Sequence, residues 1–274
     1  MTDITAGNGG NGRLLVMGGR ENTSCGTGPL KEFVTLAGAD RSRIVVVTTA
    51  TGVPEEVTAE YTMVFSRLGV SSVTELRLVG RTTADDPASL TMLEQATGVL
   101  ISGGDQSRLS MLVGSKTNDL LHRRLHRDGL VIAGTSAGAT ALGRWMILGG
   151  NGGAVTKSSV RIGPGLDLLG NVLIDMHFAE RGRLPRLLSG IALDVEYLGV
   201  GIDEDTAIVV DGDRFQVIGS GVVTVVDADR AIVAHTANNP MALFDVRLHL
   251  LPAGCWFDLE QRKPWFGPTR EEEE

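Results

Sequence analysis

The chain has 274 residues, of which 42% are hydrophobic and 21% are charged, with 36 glycines and a formal net charge of −8. This length and composition predict one large soluble α/β domain, and the negative charge argues against a nucleic-acid or anionic-membrane surface. No apolar run is long enough for a transmembrane helix, and the polar N-terminal segment does not have the pattern of a signal peptide. We therefore expect a cytoplasmic protein.

Continuous runs of valine, isoleucine and leucine alternate with amphipathic segments in the first half of the chain. Such runs are typical of strands that are covered on both faces, and their alternation with helices implies a parallel sheet. The predicted strands are residues 13–17, 43–48, 73–78, 98–102 and 130–133. The predicted helices are residues 30–37, 55–68, 88–96 and 116–127. The fold class expected from this pattern is a doubly wound α/β domain with a mainly parallel sheet.

The pattern changes in the second half of the chain. Residues 149–165 are glycine-rich and have no helical period, so they are predicted to form a loop. After them we predict further elements, of which the last three are short antiparallel strands: strand 172–176, helix 184–193, and strands 199–202, 207–210, 216–218, 222–226 and 244–250. We see no repeat or linker, which predicts a tail over residues 1–12, a single domain over 13–266 and an acidic tail over 267–274.

The two cysteines, Cys25 and Cys255, lie far apart in the sequence and lack metal-ligand spacing. We expect reduced thiols, as in most cytosolic proteins, although spacing alone leaves a disulfide between them open. No other group of histidine, cysteine and carboxylate residues has metal-ligand spacing, so no metal is expected.

Residues 134–138 read Gly-Thr-Ser-Ala-Gly and follow directly on a predicted strand. This is the pattern of a nucleophile elbow, a sharp strand-to-helix turn that lifts the hydroxyl of Ser136 above the sheet. Glycines on both sides permit the strained backbone, and the N–H of Ala137 at the helix start would stabilise an oxyanion. The motif alone is equally compatible with a tight connection that carries a surface serine.

Another predicted strand ends in Gly103-Gly104-Asp105-Gln106. Because active sites in parallel sheets form at the carboxyl ends of strands, we expect this turn to lie near Ser136. The N–H of Gly104 is then a candidate for the second oxyanion donor. The alternative is an ordinary glycine-rich turn and helix cap.

His177 follows a further strand end and precedes Arg181, Arg183 and Arg186. Three guanidinium groups at this spacing predict a patch that binds carboxylates, since each can hold a carboxylate through two hydrogen bonds. The alternative is a solvated helix start, with Glu180 pairing locally.

A histidine that acts as a general base needs a carboxylate to hold its tautomer. Asp203, Glu204 and Asp205 offer three at the end of one strand, and spacing does not choose among them.

Taken together, these segments resemble the cyanophycinase branch of the peptidase E-like serine peptidases. The resemblance extends over about residues 14–262. The matching segments are Gly18-Gly19-x-Glu21, residues 43–50, 103–106, 134–138, 175–187, 201–207 and 244–250. The arginine-containing segment is far more specific than the serine elbow. The resemblance implies a fold akin to class I glutamine amidotransferases, with serine in place of the nucleophilic cysteine.

The resemblance also implies functional roles. It makes Ser136 the nucleophile, His177 the base and Glu204 the acid of the triad, with no cofactor and a homodimeric assembly. It assigns five residues to the substrate pocket: Gln106, Asp175, Arg181, Arg183 and Arg186. Family members cleave β-aspartyl bonds, in particular the Asp–Arg branches of cyanophycin, a polymer with a poly-aspartate backbone, and they release β-Asp-Arg dipeptides.

The chain departs from the family at Met176, where the family commonly has glutamine. A thioether cannot donate the hydrogen bonds of an amide, so this change bears on substrate preference rather than on the hydrolytic residues. Two alternatives are a narrower dipeptidase for aspartyl or isoaspartyl dipeptides and a non-catalytic binding protein on the same scaffold. An amidotransferase is disfavoured because neither cysteine lies in the elbow.

Overall fold

The computed structural model describes residues 12–23, 28–150, 153–235 and 240–267. Residues 1–11 and 268–274 of the predicted tails lie outside the described residues, as does Cys25. The division into one domain and two tails therefore stays a prediction. Cys255 is a buried free thiol. Within the described ranges, no helix has the length and apolar character needed to cross a membrane.

The described residues form seventeen strands and seven α-helices. The strands of the first half are β1 (Leu14–Met17), β2 (Arg43–Val47), β3 (Ser72–Leu76), β4 (Gly98–Ile101), β5 (Val131–Thr135), β6 (Trp145–Gly150) and β7 (Val160–Pro164). Those of the second half are β8 (Val172–Met176), β9 (Leu198–Ile202), β10 (Thr206–Asp211), β11 (Arg214–Gly219), β12 (Val222–Asp227), β13 (Ile232–His235), β14 (Met241–Phe244), β15 (Arg247–Pro252), β16 (Cys255–Asp258) and β17 (Lys263–Phe266). The helices are α1 (Pro29–Leu36), α2 (Pro54–Arg67), α3 (Arg81–Ala84), α4 (Pro87–Gln95), α5 (Lys116–Arg127), α6 (Ala137–Thr140) and α7 (Leu184–Ile191). Short 3-10 helices span Ala39–Arg41, Gln106–Leu112 and Lys157–Ser159.

Nine strands form the central sheet, in the order β17-β16-β11-β10-β1-β5-β4-β2-β3. The strands β1, β5, β4, β2 and β3 run parallel. The other neighbouring strands of this sheet pair antiparallel: β1 with β10, β10 with β11, β11 with β16, and β16 with β17. The predicted fold class is therefore confirmed: a parallel sheet is flanked by helices and extended by antiparallel strands from the C-terminal half.

The two faces of the parallel strands pack into separate hydrophobic cores. In β1, Leu14 and Val16 belong to one core, whereas Leu15 and Met17 belong to the other. This division follows from the strand itself, because successive side chains point to opposite faces. Helices α4 and α5 contribute to the first core, and α1 and α2 contribute to the second. Continuous apolar runs predicted these strands because both of their faces are buried.

A second sheet of four strands, in the order β15-β12-β9-β8, lies beside the central sheet. β8 and β9 are parallel and are joined by α7, whose Leu187 and Ile191 pack with Leu173 of β8 in a third core. The carboxyl end of β8 reaches β1, because the His177 N–H donates to the Gly18 carbonyl at 2.9 Å. Strand ends from two sheets therefore meet at one edge.

The predicted loop over residues 149–165 is wrong at residues 149–150 and 160–164, whereas the described residues between them, 153–159, form no strand. β6 and β7 form an antiparallel hairpin there, with an irregularity in register between Ile147 and Gly149. Ile147 and Val160 are buried in the third core, so a few apolar side chains hold a pair of strands despite the high glycine content.

The predicted strand 244–250 is two strands. Asp245 has φ of +58°, a left-handed conformation that ends β14 before β15 begins at Arg247. The sequence analysis also missed β13, β16 and β17.

We expect Leu100→Ala to lower the free energy of unfolding by about 2–5 kcal/mol, because it removes a fully buried side chain from a packed core. Urea denaturation measures this loss. Val79→Ala is the matched control: Val79 is 69% exposed, so its truncation should change stability by no more than about 0.5 kcal/mol. Equal effects of the two substitutions would contradict the described core.

Candidate active site

Ser136 lies at the turn between β5 and α6, with φ of +51° and ψ of −112°. The flanking glycines leave the space that this turn needs. A Cβ on Gly134 would lie 2.5 Å from the Gly138 carbonyl oxygen, and a Cβ on Gly138 would lie 2.1 Å from the Ile101 carbonyl oxygen. A strained residue at a strand-to-helix turn is the geometry of a nucleophile elbow.

His177 lies directly after β8 and joins Ser136 to a carboxylate. Its Nε2 is 2.9 Å from Ser136 Oγ, and its Nδ1 is 2.7 Å from Glu204 Oε1. The three side chains come from the ends of β5, β8 and β9, so they belong to two different sheets. They form a continuous hydrogen-bonded relay from hydroxyl to imidazole to carboxylate.

The turn over residues 203–205 explains why one of its three acids reaches the imidazole. Asp203 accepts the N–H groups of Ala179 and Val222, each at 3.0 Å. Asp205, which has φ of +50°, accepts an N–H from the turn after β1 at 2.8 Å. Both of these carboxylates hold the backbone, whereas Glu204 presents its carboxylate to His177.

His177 is buried, and its backbone has φ of +47°. Burial lowers the pKa of His177 below its ordinary value of 6.5; the hydrogen bond to Glu204 opposes this shift, and the charges of Arg181 and Arg183 add to it. The ring also lies against Gly19, where a Cβ would come within 2.4 Å of Cε1. The site therefore favours a neutral imidazole with a free electron pair.

The turn Gly103–Gly104 lies beside Ser136, as predicted. A Cβ on Gly103 would lie 3.3 Å from the Ser136 Cβ. Gly104 has φ of +139° and packs against the Ala50 carbonyl. In the part of the chain that the structure describes, the N–H groups of Gly104 and Ala137 donate to no other protein group. Their role as oxyanion donors stays a prediction.

The predicted substrate residue Asp175 is fully buried in β8 and already has partners. Its Oδ2 accepts from Arg186 Nε at 2.8 Å, and its Oδ1 accepts from Arg186 Nη2 and from Arg183 Nη1, the latter at 3.3 Å. Arg186 is itself buried on α7. This pair binds two elements of the fold together and leaves no free oxygen on Asp175.

Arg183 and Arg181 differ from Arg186 in exposure. Arg183 is half-buried, donates to the Met176 carbonyl and lies 2.9 Å from the Met176 sulfur. Burial lowers the pKa of Arg183 to about 10, with Asp175 opposing the shift. Arg181 is exposed, and its charge reaches His177. Among the described residues, Arg181 has no ion-pair partner, so its guanidinium is available to a ligand.

The predicted residue Gln106 lies at the start of a 3-10 helix beside the same turn. Its Nε2 donates to the Ile147 carbonyl of β6 at 2.9 Å, which ties the β6–β7 hairpin to this edge of the sheet. Within the described ranges, no three histidine, cysteine or carboxylate side chains are grouped as metal ligands.

Three charged residues near the relay were not predicted. Arg20, with φ of +52°, places its Nε 3.4 Å from Glu204 Oε1, and Glu180 accepts the Glu204 N–H at 3.1 Å. Glu21 accepts a hydrogen bond from the Thr135 hydroxyl. Their signal in the sequence is a position soon after a strand end or after His177, and Glu21 also belongs to the Gly18-Gly19-x-Glu21 segment that carries the resemblance.

Known proteins resemble this chain over most of its length. A family model described as Peptidase family S51 matches residues 14–218. The cyanophycinase of Trichormus variabilis is 36% identical over 258 residues, which cover 91% of this chain and 86% of the relative. That of Geminocystis herdmanii is 33% identical, with 93% and 96% covered, and that of Synechococcus elongatus is 37% identical, with 90% and 79% covered.

Two solved structures share the fold. A peptidase from an acI-B1 Actinobacterium has a TM-score of 0.70 and 22% identity, with 91% of this chain and 97% of that chain covered. A putative peptidase E protein from Listeria monocytogenes has a TM-score of 0.52 and 16% identity, with 77% and 99% covered. The sequence matches go beyond the fold: the chain belongs to Peptidase family S51 and is a serine-type peptidase.

Proposed function

We propose that the chain is an exopeptidase that hydrolyses cyanophycin, with Ser136 as nucleophile, His177 as general base and Glu204 as the orienting acid. The observation that carries this proposal is the relay of 2.9 Å and 2.7 Å hydrogen bonds that links the three side chains. The identity of 33–37% with proteins named cyanophycinase supports the choice of substrate.

The reaction proceeds through an acyl-enzyme. His177 Nε2 takes the proton of Ser136 Oγ as this oxygen forms a bond to the scissile carbonyl carbon. The tetrahedral intermediate collapses, the C–N bond breaks, and His177 returns the proton to the leaving amine. Water then gives a proton to the same imidazole and attacks the ester carbonyl. The bond to Ser136 Oγ breaks, His177 returns the proton to this oxygen, and the acid product leaves. Because the pKa of His177 is lowered, its imidazole is ready to accept a proton at neutral pH at the start of each half of the reaction.

We assign the oxyanion hole to the N–H groups of Gly104 and Ala137. Two facts support the assignment. Ala137 directly follows Ser136, and Gly104 directly follows Gly103, where a Cβ would lie 3.3 Å from the Ser136 Cβ; neither amide is used elsewhere in the described chain. Two such donors stabilise the negative charge that develops on the carbonyl oxygen.

The proposed product determines which bond breaks in the polymer. Cyanophycin carries arginine on the side-chain carboxyl groups of its polyaspartate backbone, so a β-Asp-Arg dipeptide keeps its β-aspartyl bond. Release of this dipeptide requires hydrolysis of the backbone amide between neighbouring aspartates. Attack on the β-aspartyl carbonyl, as the sequence analysis expects, would free arginine instead.

We propose that the substrate-binding residues divide into two groups. Arg181 and Arg183 bind carboxylates of the substrate. Arg181 is exposed and has no ion-pair partner among the described residues, and Arg183 keeps 12% of its side chain exposed while it pairs with Asp175 through Nη1. Asp175 and Arg186 have a structural role instead, because their opposite charges already pair with each other in the interior. The guanidinium of the substrate therefore needs an acid other than Asp175. Gln106 positions the β6–β7 hairpin through its Nε2 and contributes its amide oxygen to the substrate pocket.

We retain three further expectations as proposals. Residues 13–266 form the peptidase domain between the two tails, the enzyme is a homodimer, and it acts in the cytoplasm.

Incubation of insoluble cyanophycin with the enzyme should release β-Asp-Arg and no free arginine, because the backbone amide is the bond that breaks. Chromatography with mass spectrometry separates the two products. Ser136→Ala should reduce the rate by at least about 10³-fold, since it removes the nucleophile. Ser71→Ala, which removes an exposed hydroxyl elsewhere, is the matched control and should keep full activity.

Free arginine as the product would overturn the proposed scissile bond. Hydrolysis of small aspartyl or isoaspartyl dipeptides without action on the polymer would establish the narrower dipeptidase. Activity of Ser136→Ala within about tenfold of wild type, or about 1.4 kcal/mol, would exclude Ser136 as the nucleophile.

The pKa of His177 should lie below 6.5, as measured by an NMR titration of the imidazole. Glu204→Gln should lower it further, because the bond to Glu204 favours the protonated ring. Arg181→Ala should raise it, because the guanidinium charge disfavours that form. Arg127→Ala, an exposed arginine on α5, should leave it unchanged. Since the imidazole stays neutral to a lower pH, wild-type kcat/KM should remain high below pH 6.5. In Arg181→Ala, the acidic limb of the kcat/KM profile should move to higher pH.

Arg181→Ala should raise KM about 10- to 100-fold and change kcat much less when assayed above pH 8, where His177 is neutral in both enzymes. A charge-assisted hydrogen bond to a carboxylate contributes about 1.5–3 kcal/mol, which gives this range. Arg127→Ala again serves as the control. An unchanged KM would show that the substrate does not contact Arg181.

A further inference from the structure

The carboxyl group of Glu21 gathers hydrogen bonds from two segments of the site. The hydroxyl of Thr135, the last residue of β5, donates to Glu21 Oε1. The backbone N–H groups of Gly19 and of Glu21 itself also bind this carboxylate. One side chain therefore connects the turn after β1 with the end of β5.

Both segments bear directly on the relay. Thr135 is buried and immediately precedes Ser136, so its position sets the start of the elbow. Gly19 lies against the imidazole, with room for no side chain between its Cα and the His177 ring. A shift of either segment would change the distance between Ser136 Oγ and His177 Nε2.

No cation neutralises Glu21 within the described part of the chain. Burial raises the pKa of Glu21, and the nearby charge of Asp205 adds to this. The charge of Glu21 also acts on Tyr61 of α2, because burial and the charges of Glu21 and Glu60 raise the pKa of Tyr61 well above its ordinary value of 10. A carboxylate that is buried without a positive partner lowers stability unless hydrogen bonds compensate. The three donors supply that compensation, and they belong to the segments that hold the site.

We propose that Glu21 is a positioning residue that sets the distance between Ser136 and His177 through its hydrogen bonds to Thr135 and Gly19. This inference rests on the proposed function, because it takes Ser136 and His177 as nucleophile and base. Glu21 itself touches neither reacting atom.

Glu21→Gln and Thr135→Val test the contact. A glutamine amide has one acceptor oxygen, so it cannot satisfy all three donors, and valine keeps the shape of threonine without its hydroxyl. Thr135→Ser, which retains the hydroxyl, is the rescue variant. The chain also provides a matched pair: Thr48, directly after β2, donates to Glu75 at 2.8 Å. Thr48→Val removes a hydrogen bond of the same kind away from the relay.

Two readouts separate positioning from stability. The first is the rate at which a fluorophosphonate labels Ser136, which needs no substrate, and the second is kcat and KM on a soluble aspartyl peptide. We expect Glu21→Gln and Thr135→Val each to lower the labelling rate and kcat at least about tenfold with little change in KM, since small misplacements of reacting groups reduce rates this much. The double variant should be no slower than the slower single variant, because both lose one interaction.

Thr135→Ser should label at nearly the wild-type rate, and Thr48→Val should lower the melting temperature without slowing labelling. Wild-type rates in Glu21→Gln and Thr135→Val, or additive effects in the double variant, would overturn this inference alone. If the wild-type enzyme is not labelled at Ser136 at all, the proposed function fails and the inference fails with it.

Discussion

The close approach of the turn after β1 to the ends of β8 and β9 is the constraint on which the site depends. A Cβ on Gly18 would lie 1.9 Å from the Asp203 carbonyl oxygen, and one on Gly19 would lie 2.4 Å from the His177 ring. Two sheets therefore meet backbone to backbone, with 2.9 Å hydrogen bonds from the N–H groups of His177 and Asp205 to Gly18 and Gly19. Without this contact, an imidazole carried by the smaller sheet could not reach a serine carried by the larger one.

The arginine-containing segment after β8 performs two tasks that its sequence does not distinguish. Arg186 lies in the interior and pairs with Asp175, whereas Arg181 is exposed and without a carboxylate partner in the described chain. Breaking the interior pair would leave one buried charge uncompensated, which is strongly destabilising. Because Asp175 pairs with Arg186 in the interior, Arg181 remains exposed beside the relay in a chain whose net charge is −8.

Much of the fold could be predicted because both faces of its parallel strands are buried, which leaves unbroken apolar runs in the sequence. The hairpin of β6 and β7 could not, since glycines at 149, 150 and 163 interrupt its apolar side chains and hide the strand pattern. At the site, the elbow and His177 follow strand ends and were predictable. Sequence could not choose Glu204 from its acidic neighbours, because the choice depends on which N–H groups occupy Asp203 and Asp205. Nor could it foresee the Asp175–Arg186 pair, which requires α7 to fold back on β8.

Residues with positive φ are concentrated at the candidate active site. Of eight non-glycine residues with positive φ in the described chain, four surround the relay: Arg20, Ser136, His177 and Asp205. Each such conformation stores on the order of 1–2 kcal/mol. Thermal robustness and turnover consequently compete for the same few positions, and a search for heat-tolerant variants should begin at strained residues remote from this edge, such as Ala39.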